Sequence, residues 1–154
     1  MRVLDPRDRI MLADLVARYA LYTDRAKYSG LAGLFTDDAV LVLPDPPEHF
    51  GPVRSFTGRD EISESFHSLD GFPLTSHEIV GQVFDPGREN ATATGHIACV
   101  AHHLTEDEPG ELTDYAWHLR YTDAYRRESG FWQIARRTLQ IDFIEMRPVW
   151  RWRA

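Results

Sequence analysis

Cysteine is nearly absent: Cys99 stands alone in 154 residues. A single thiol excludes an internal disulfide and fits a reducing compartment. No apolar run approaches the roughly 20 residues that a membrane-spanning helix needs. The N-terminus enters a charged helical stretch directly, without a secretory leader, so a cytoplasmic location is expected. Asn90-Ala-Thr92 then reads as a chance glycosylation sequon. Positive charge is scarce as well: 17 Lys and Arg against 24 Asp and Glu leave a net charge of −7. That balance argues against nucleic acid and against an anionic membrane surface as partners. Glycine-rich phosphate loops and a Gly-x-Ser-x-Gly elbow are missing, which counts against nucleotides and serine-hydrolase chemistry. Neither Cys-x-x-Cys nor His-Glu-x-x-His spacing occurs, so neither a metal nor any other cofactor is expected. Internal repeats and low-complexity segments are lacking too.

What is present suits one globular domain over residues 1–146 with a tail at 147–154, since 43% of residues are hydrophobic and 27% charged. Asp5-Pro6 reads as an N-cap followed by proline at the first helical position. Leu12, Leu15, Val16, Tyr19 and Tyr22 then recur at helical spacing, predicting a helix to about Lys27. A short helix over Leu31–Phe35, a strand over Ala39–Leu43 and another over Val53–Thr57 follow. An amphipathic helix spans Gly58–Leu69, with Ile62, Phe66 and Leu69 on its buried side.

Beyond Pro73 the pattern changes to long strands: Thr75–Phe84, Ala91–Leu104, Leu112–Arg127 and Phe131–Glu145. Their connectors are rich in Gly, Pro, Asn and Asp, as hairpins require. In the third, Tyr115, Trp117, Leu119, Tyr121 and Tyr125 share one face, and Asp114, His118, Arg120 and Arg126 the other. In the fourth, apolar residues are even-numbered at Trp132 and Ile134 but odd-numbered at Leu139, Ile141 and Phe143. This switch predicts a bulge between Ala135 and Thr138. Helices followed by long twisted strands make an α+β plan: helices packed on one face of a strongly curved, mainly antiparallel sheet, a cone whose mouth is a natural small-molecule pocket.

Three polar residues interrupt this apolar framework: Asp24 late in the first helix, His77 opening a strand, and His102 near the end of the next. Histidine exchanges protons near neutral pH, and a carboxylate can hold it in one tautomer. An unpaired carboxylate in an apolar cone is costly, so Asp24 is expected to hydrogen-bond His102. His102 and His103 are adjacent and face opposite sides of a regular strand; His103 is assigned to the outer face. His96 reads as a polar residue near a strand start, and His49, His67 and His118 as surface residues. Tyr22, Tyr28, Trp117, Tyr121 and Phe143 are the candidate substrate-binding residues of the pocket. The tail, with Trp150 and Trp152 among three arginines, either covers the mouth, packs on a partner subunit or frays.

Several segments resemble the SnoaL-like, nuclear-transport-factor-2-like domains: Tyr22-Thr-Asp24, Leu34-Phe-Thr-Asp-Asp-Ala39, Thr75-Ser-His77 and Tyr125-Arg-Arg-Glu-Ser-Gly-Phe-Trp132-Gln-Ile134. The resemblance runs from about Arg9 to Met146 and is nearest to the scytalone dehydratases. It implies that Asp24, His77 and His102 are catalytic. Two tyrosines that polarise the substrate carbonyl in that family would fall at Thr23 and Leu43, and its pocket serine and asparagine near Leu119 and Tyr121. The proton-transfer groups carry over and the polarising groups do not, so scytalone itself is not the expected substrate.

The resulting expectation is a cofactor-free dehydratase-type lyase acting on a small apolar hydroxy-carbonyl or polyketide-like compound. His77 would remove a proton beside the carbonyl, and His102 would be the partner acid or base. A cyclase, a ketosteroid-isomerase-like enzyme, or a non-catalytic binding or assembly domain remain alternatives. Pairing through the outer sheet face predicts a homodimer, which light scattering at micromolar concentration tests directly; a monomer mass contradicts it.

Overall fold

In the computed structural model, which describes residues 2–152, the chain runs through three helices and six strands. Helix α1 (Pro6–Asp24) starts where Asp5 accepts a hydrogen bond from the Arg7 amide, with Pro6 at the first helical position. It ends three residues earlier than Lys27, because Ala26 adopts a left-handed φ of 51° and turns the chain. Helix α2 (Tyr28–Ala32) lies earlier than predicted: Phe35 is drawn into the sheet, where it pairs with Ile134. Strands β1 (Phe35–Asp45) and β2 (His49–Thr57) follow. Helix α3 (Gly58–Ser65) runs on as a 3-10 turn to Leu69 and buries Ile62 and Phe66. The four long strands are β3 (Leu74–Pro86), β4 (Thr92–Glu108), β5 (Glu111–Glu128) and β6 (Phe131–Val149).

One sheet in the order β2-β1-β6-β5-β4-β3 holds all six strands. Only the β1–β6 pair is parallel; the others are antiparallel. Three bulges in the long strands decide which side chains face inward. Ala135 is extra between Ile134 and Arg136, within the predicted window, and carries the inner face from Ile134 to Arg137, Leu139 and Ile141. Asp142 is extra between Ile141 and Phe143 and reverses the face again. Val80 does the same in β3. The sheet curls around α1 and α3, and the core lies between them: Leu12, Val16, Leu31, Phe35, Ile62, Ile97, Tyr121, Tyr125 and Ile141.

The tail differs from its predicted extent. Arg147, Pro148 and Val149 belong to β6, pairing with Asp114, Thr113 and Leu112. Trp150 and Trp152 are exposed and do not cover the mouth, although Arg151 donates to the Pro73 carbonyl at 3.4 Å. Arg153 and Ala154 lie outside the described residues. No helix among the described residues is long and apolar enough to cross a membrane.

A fully buried ion pair, unforeseen in the sequence, lies in the core. Arg137 donates from Nε to Asp123 Oδ1 at 2.9 Å and from Nη2 to Oδ2 at 2.6 Å, and neither side chain is exposed. Its guanidinium carbon lies 4.1 Å from the ring centroids of both Tyr19 and Tyr121, and Tyr125 donates its hydroxyl to Asp123. Gly95 makes room for this network, since a Cβ there would meet the Tyr125 ring at 2.8 Å. The signal was available: Asp123 shares parity with Tyr121 and Tyr125, and pairs directly with Arg137. Removing one member of a buried pair strands the other's charge. Asp123→Ala should therefore lower stability by about 3–5 kcal/mol, measured by urea denaturation; a loss below about 1 kcal/mol would contradict a charged buried pair.

Candidate active site

The last residue of α1 meets the first turn of β3. Asp24 Oδ1 accepts from His77 Nδ1 at 2.6 Å and from the Thr75 hydroxyl at 3.0 Å, and Oδ2 accepts from the His77 backbone amide at 2.8 Å. Burial alone would raise the Asp24 carboxyl, but hydrogen bonds from the His77 ring and amide and from Thr75, together with the imidazole's charge, hold it below the usual carboxylate range. A carboxylate only accepts, so the proton between the two groups sits on Nδ1 of His77. Nε2 is left with its lone pair and no protein partner among the described residues. The His77 side chain is only 8% exposed.

Across the β3–β4 ladder, Thr75 pairs with His103 and His77 with Ala101, which puts both histidines on the concave face. Their rings lie 6.0 Å apart, nearly perpendicular. His103 also packs on Trp117 at 4.4 Å and Phe72 at 5.2 Å. Its Nδ1 donates to the Tyr115 carbonyl at 3.2 Å. Burial, and secondarily the charge of His77, push it down to about 4. His103 is therefore neutral at pH 7, with Nε2 as an acceptor.

These histidines border an inner cavity of about 100 Å³, with Tyr19, Leu43, Phe66 and Tyr121 among its walls. His103 and Trp117 also line a wider mouth of about 680 Å³, bounded by Pro46, Phe50, Phe72 and Met146. Two larger grooves elsewhere touch neither His77 nor His103. Burial pushes the Tyr19 phenol up to about 12 and raises that of Tyr121 well above its ordinary value. Both remain O–H donors at neutral pH. No set of three or more His, Cys, Asp or Glu among the described residues has metal-binding geometry.

Asp24 and His77 come together; His102 does not join them. It lies opposite Ser76 and Ala116 on the convex face, with Nδ1 2.6 Å from Asp114 and Nε2 3.4 Å from Glu78. The expected Asp24–His102 bond is replaced by Asp24–His77, because the β3–β4 register turns odd-numbered β4 residues inward. His103, assigned to the outer face from sequence, takes the inner position. Its parity with the apolar Ile97, Cys99 and Ala101 was the signal. Trp117 and Tyr121 line the cavity. Phe143 does not: the Asp142 bulge turns it outward to stack on His118 at 4.0 Å. Tyr22 and Tyr28 pack against the core edge and border neither the inner cavity nor the mouth; the Tyr28 hydroxyl donates to Asp70 at 2.7 Å. Tyr19, Leu43 and Phe66 were missed as wall residues, because a helical or strand period does not say which core residues border a void.

Comparison with known proteins matches residues 6–138 to the SnoaL-like domain family. No curated protein is significantly similar in sequence. Solved structures with the same fold include a candidate scytalone dehydratase from Novosphingobium aromaticivorans DSM 12444, with a TM-score of 0.75 and 21% identity over 90% of this chain and 86% of that one. A candidate aromatic ring hydroxylase from Novosphingobium aromaticivorans superposes with a TM-score of 0.77 and 20% identity, covering 95% and 96% of the two chains. A hexachlorocyclohexane dehydrochlorinase, LinA-type3 from Novosphingobium barchaimii LL02, gives 0.73 and 13% identity over 91% and 90%. At these identities the likeness is one of fold.

The site has a pH signature. His103 in the fold binds its proton only near pH 4, whereas an unfolded histidine does so near 6.5. The unfolded state thus holds more protons between these values, and stability falls as pH drops from about 6.5 to about 4. The full loss from this group is roughly 3 kcal/mol. Urea denaturation across that range measures it, and His103→Phe should flatten the slope; an unchanged slope in that variant would contradict a neutral, buried His103.

Proposed function

The chain belongs to the SnoaL-like domain family, and from that premise we propose that it is a cofactor-free lyase removing water from a small, largely apolar hydroxy-carbonyl compound. The observation that carries this reading is His77, held by Asp24 and set in the wall of a largely apolar cavity. Nε2 of His77 takes the proton from the carbon beside the carbonyl. Asp24 stabilises the resulting imidazolium and keeps the ring oriented. The C–H electron pair becomes the new C=C bond, and the hydroxide leaves with the same proton from Nε2, as water. One nitrogen serves as base and then acid. His103 is neutral and cannot supply the proton at pH 7; its Nε2 instead accepts from the substrate hydroxyl and positions it.

Two proteins of the same fold bear names of eliminating enzymes, a dehydratase and a dehydrochlorinase. An isomerase would return the proton to carbon from the same nitrogen. The acceptor on His103, which suits a hydroxyl, favours loss of water.

A panel of β-hydroxy ketones, followed by the ultraviolet absorbance of the enone product, tests the reading. His77→Gln should lose about 100- to 10,000-fold in kcat. Asp24→Asn should lose about 100-fold or more with an unchanged circular dichroism spectrum, because the amide keeps the shape and loses the charge. His102→Gln should stay within a few-fold of the parent. Full activity in Asp24→Asn, or a collapse in His102→Gln, contradicts the assignment.

A further inference from the structure

A base that removes a proton beside a carbonyl works against a rising negative charge on the carbonyl oxygen, and an apolar wall does not stabilise it. One cation borders the inner cavity together with His77: Arg54, on the edge strand β2. It pairs directly across the ladder with Leu43, another wall residue, so the pleat aims both at the concave face. The guanidinium makes no hydrogen bond within the protein among the described residues. Its ion-pair partner, Asp45, is 3.6 Å away, and 46% of its side chain is exposed. The guanidinium carbon lies 5.6 Å from the Phe56 ring centroid. Arg137 is no rival, since it is bound to Asp123 and does not border the cavity. Arg54, Ser65 and Ser68 line both this cavity and the open groove outside α3, where Asp60, Glu61 and Glu64 also lie. The cavity thus has a polar, cationic side at β2, apart from the apolar mouth formed with Phe50, Phe72 and Met146.

We propose that Arg54 holds the substrate's carbonyl oxygen and the enolate formed from it, so that the substrate is a carbonyl compound with its oxygen towards β2 and its apolar body towards the mouth. This rests on the lyase reading and specifies its substrate. His77 and Arg54 border one cavity of about 100 Å³, which puts both within reach of a single small molecule. The guanidinium offers donors in a planar fork, always charged, and needs no proton transfer of its own.

The test uses 4-nitrophenol, a flat apolar probe whose phenolate mimics an enolate and absorbs visibly. The wild-type protein should bind the phenolate in preference to the neutral phenol. Arg54→Gln should reduce that preference roughly tenfold or more, the scale of a charge-assisted hydrogen bond, and Arg54→Lys should retain part of it. His77→Gln should keep it, which separates the oxyanion role from the base. Wild-type preference in Arg54→Gln, or a wild-type protein that binds no phenolate, overturns the proposal. Elimination activity that survives Arg54→Gln unchanged refutes the arginine alone. Phenolate preference without any elimination across the ketone panel refutes the lyase alone.

Discussion

The carboxylate of Asp24 is the hinge of this structure. Three donors from one strand start, the His77 ring, the His77 amide and the Thr75 hydroxyl, converge on it. That convergence does two things at once. It ties the C-terminal end of α1 to the edge of the sheet, which closes the cone. It also consumes Nδ1 of His77, so that only Nε2 is free for chemistry. Without the negative charge the imidazole has no reason to prefer one tautomer.

Around this contact the buried charges are divided between separate pairs. In the core Arg137 and Asp123 pair with one another, the guanidinium lying between tyrosine rings. Such a pair is weak evidence for stability in itself, yet expensive to break. His77 has a charged partner and His103 only a backbone carbonyl. Two histidines 6.0 Å apart thus sit in different surroundings: one ring is held by a carboxylate, the other is buried against a carbonyl and aromatic rings. In the proposed elimination, that division lets one group exchange protons while the other recognises a hydroxyl.

Much of the architecture was legible in residue spacing. The capping pair Asp5-Pro6, the amphipathic α3 and the alternation in β5 each map onto an observed element, and the parity switch in β6 foretold the bulge at Ala135. Asp24 and His77 were recognisable because each is polar within an apolar stretch. Their partnership was not, since it depends on where a helix end meets a strand start. His102 and His103 show the limit most plainly: periodicity states that adjacent residues part, and only the register with β3 decides which one faces inward. Phe143 was lost to a second bulge, at Asp142: it continues the odd-numbered run of Leu139 and Ile141, and only Ile144 beyond it marks the switch.

Asp24 fixes His77 with its proton on Nδ1 and Nε2 bare. Long-range 1H–15N correlation of the histidine rings measures this directly. With the imidazole neutral, the wild-type protein should show a protonated Nδ1 and an unprotonated Nε2 on His77, and Asp24→Asn should lose that preference. A His77 that carries its proton on Nε2, or one whose tautomer is indifferent to Asp24→Asn, would contradict it.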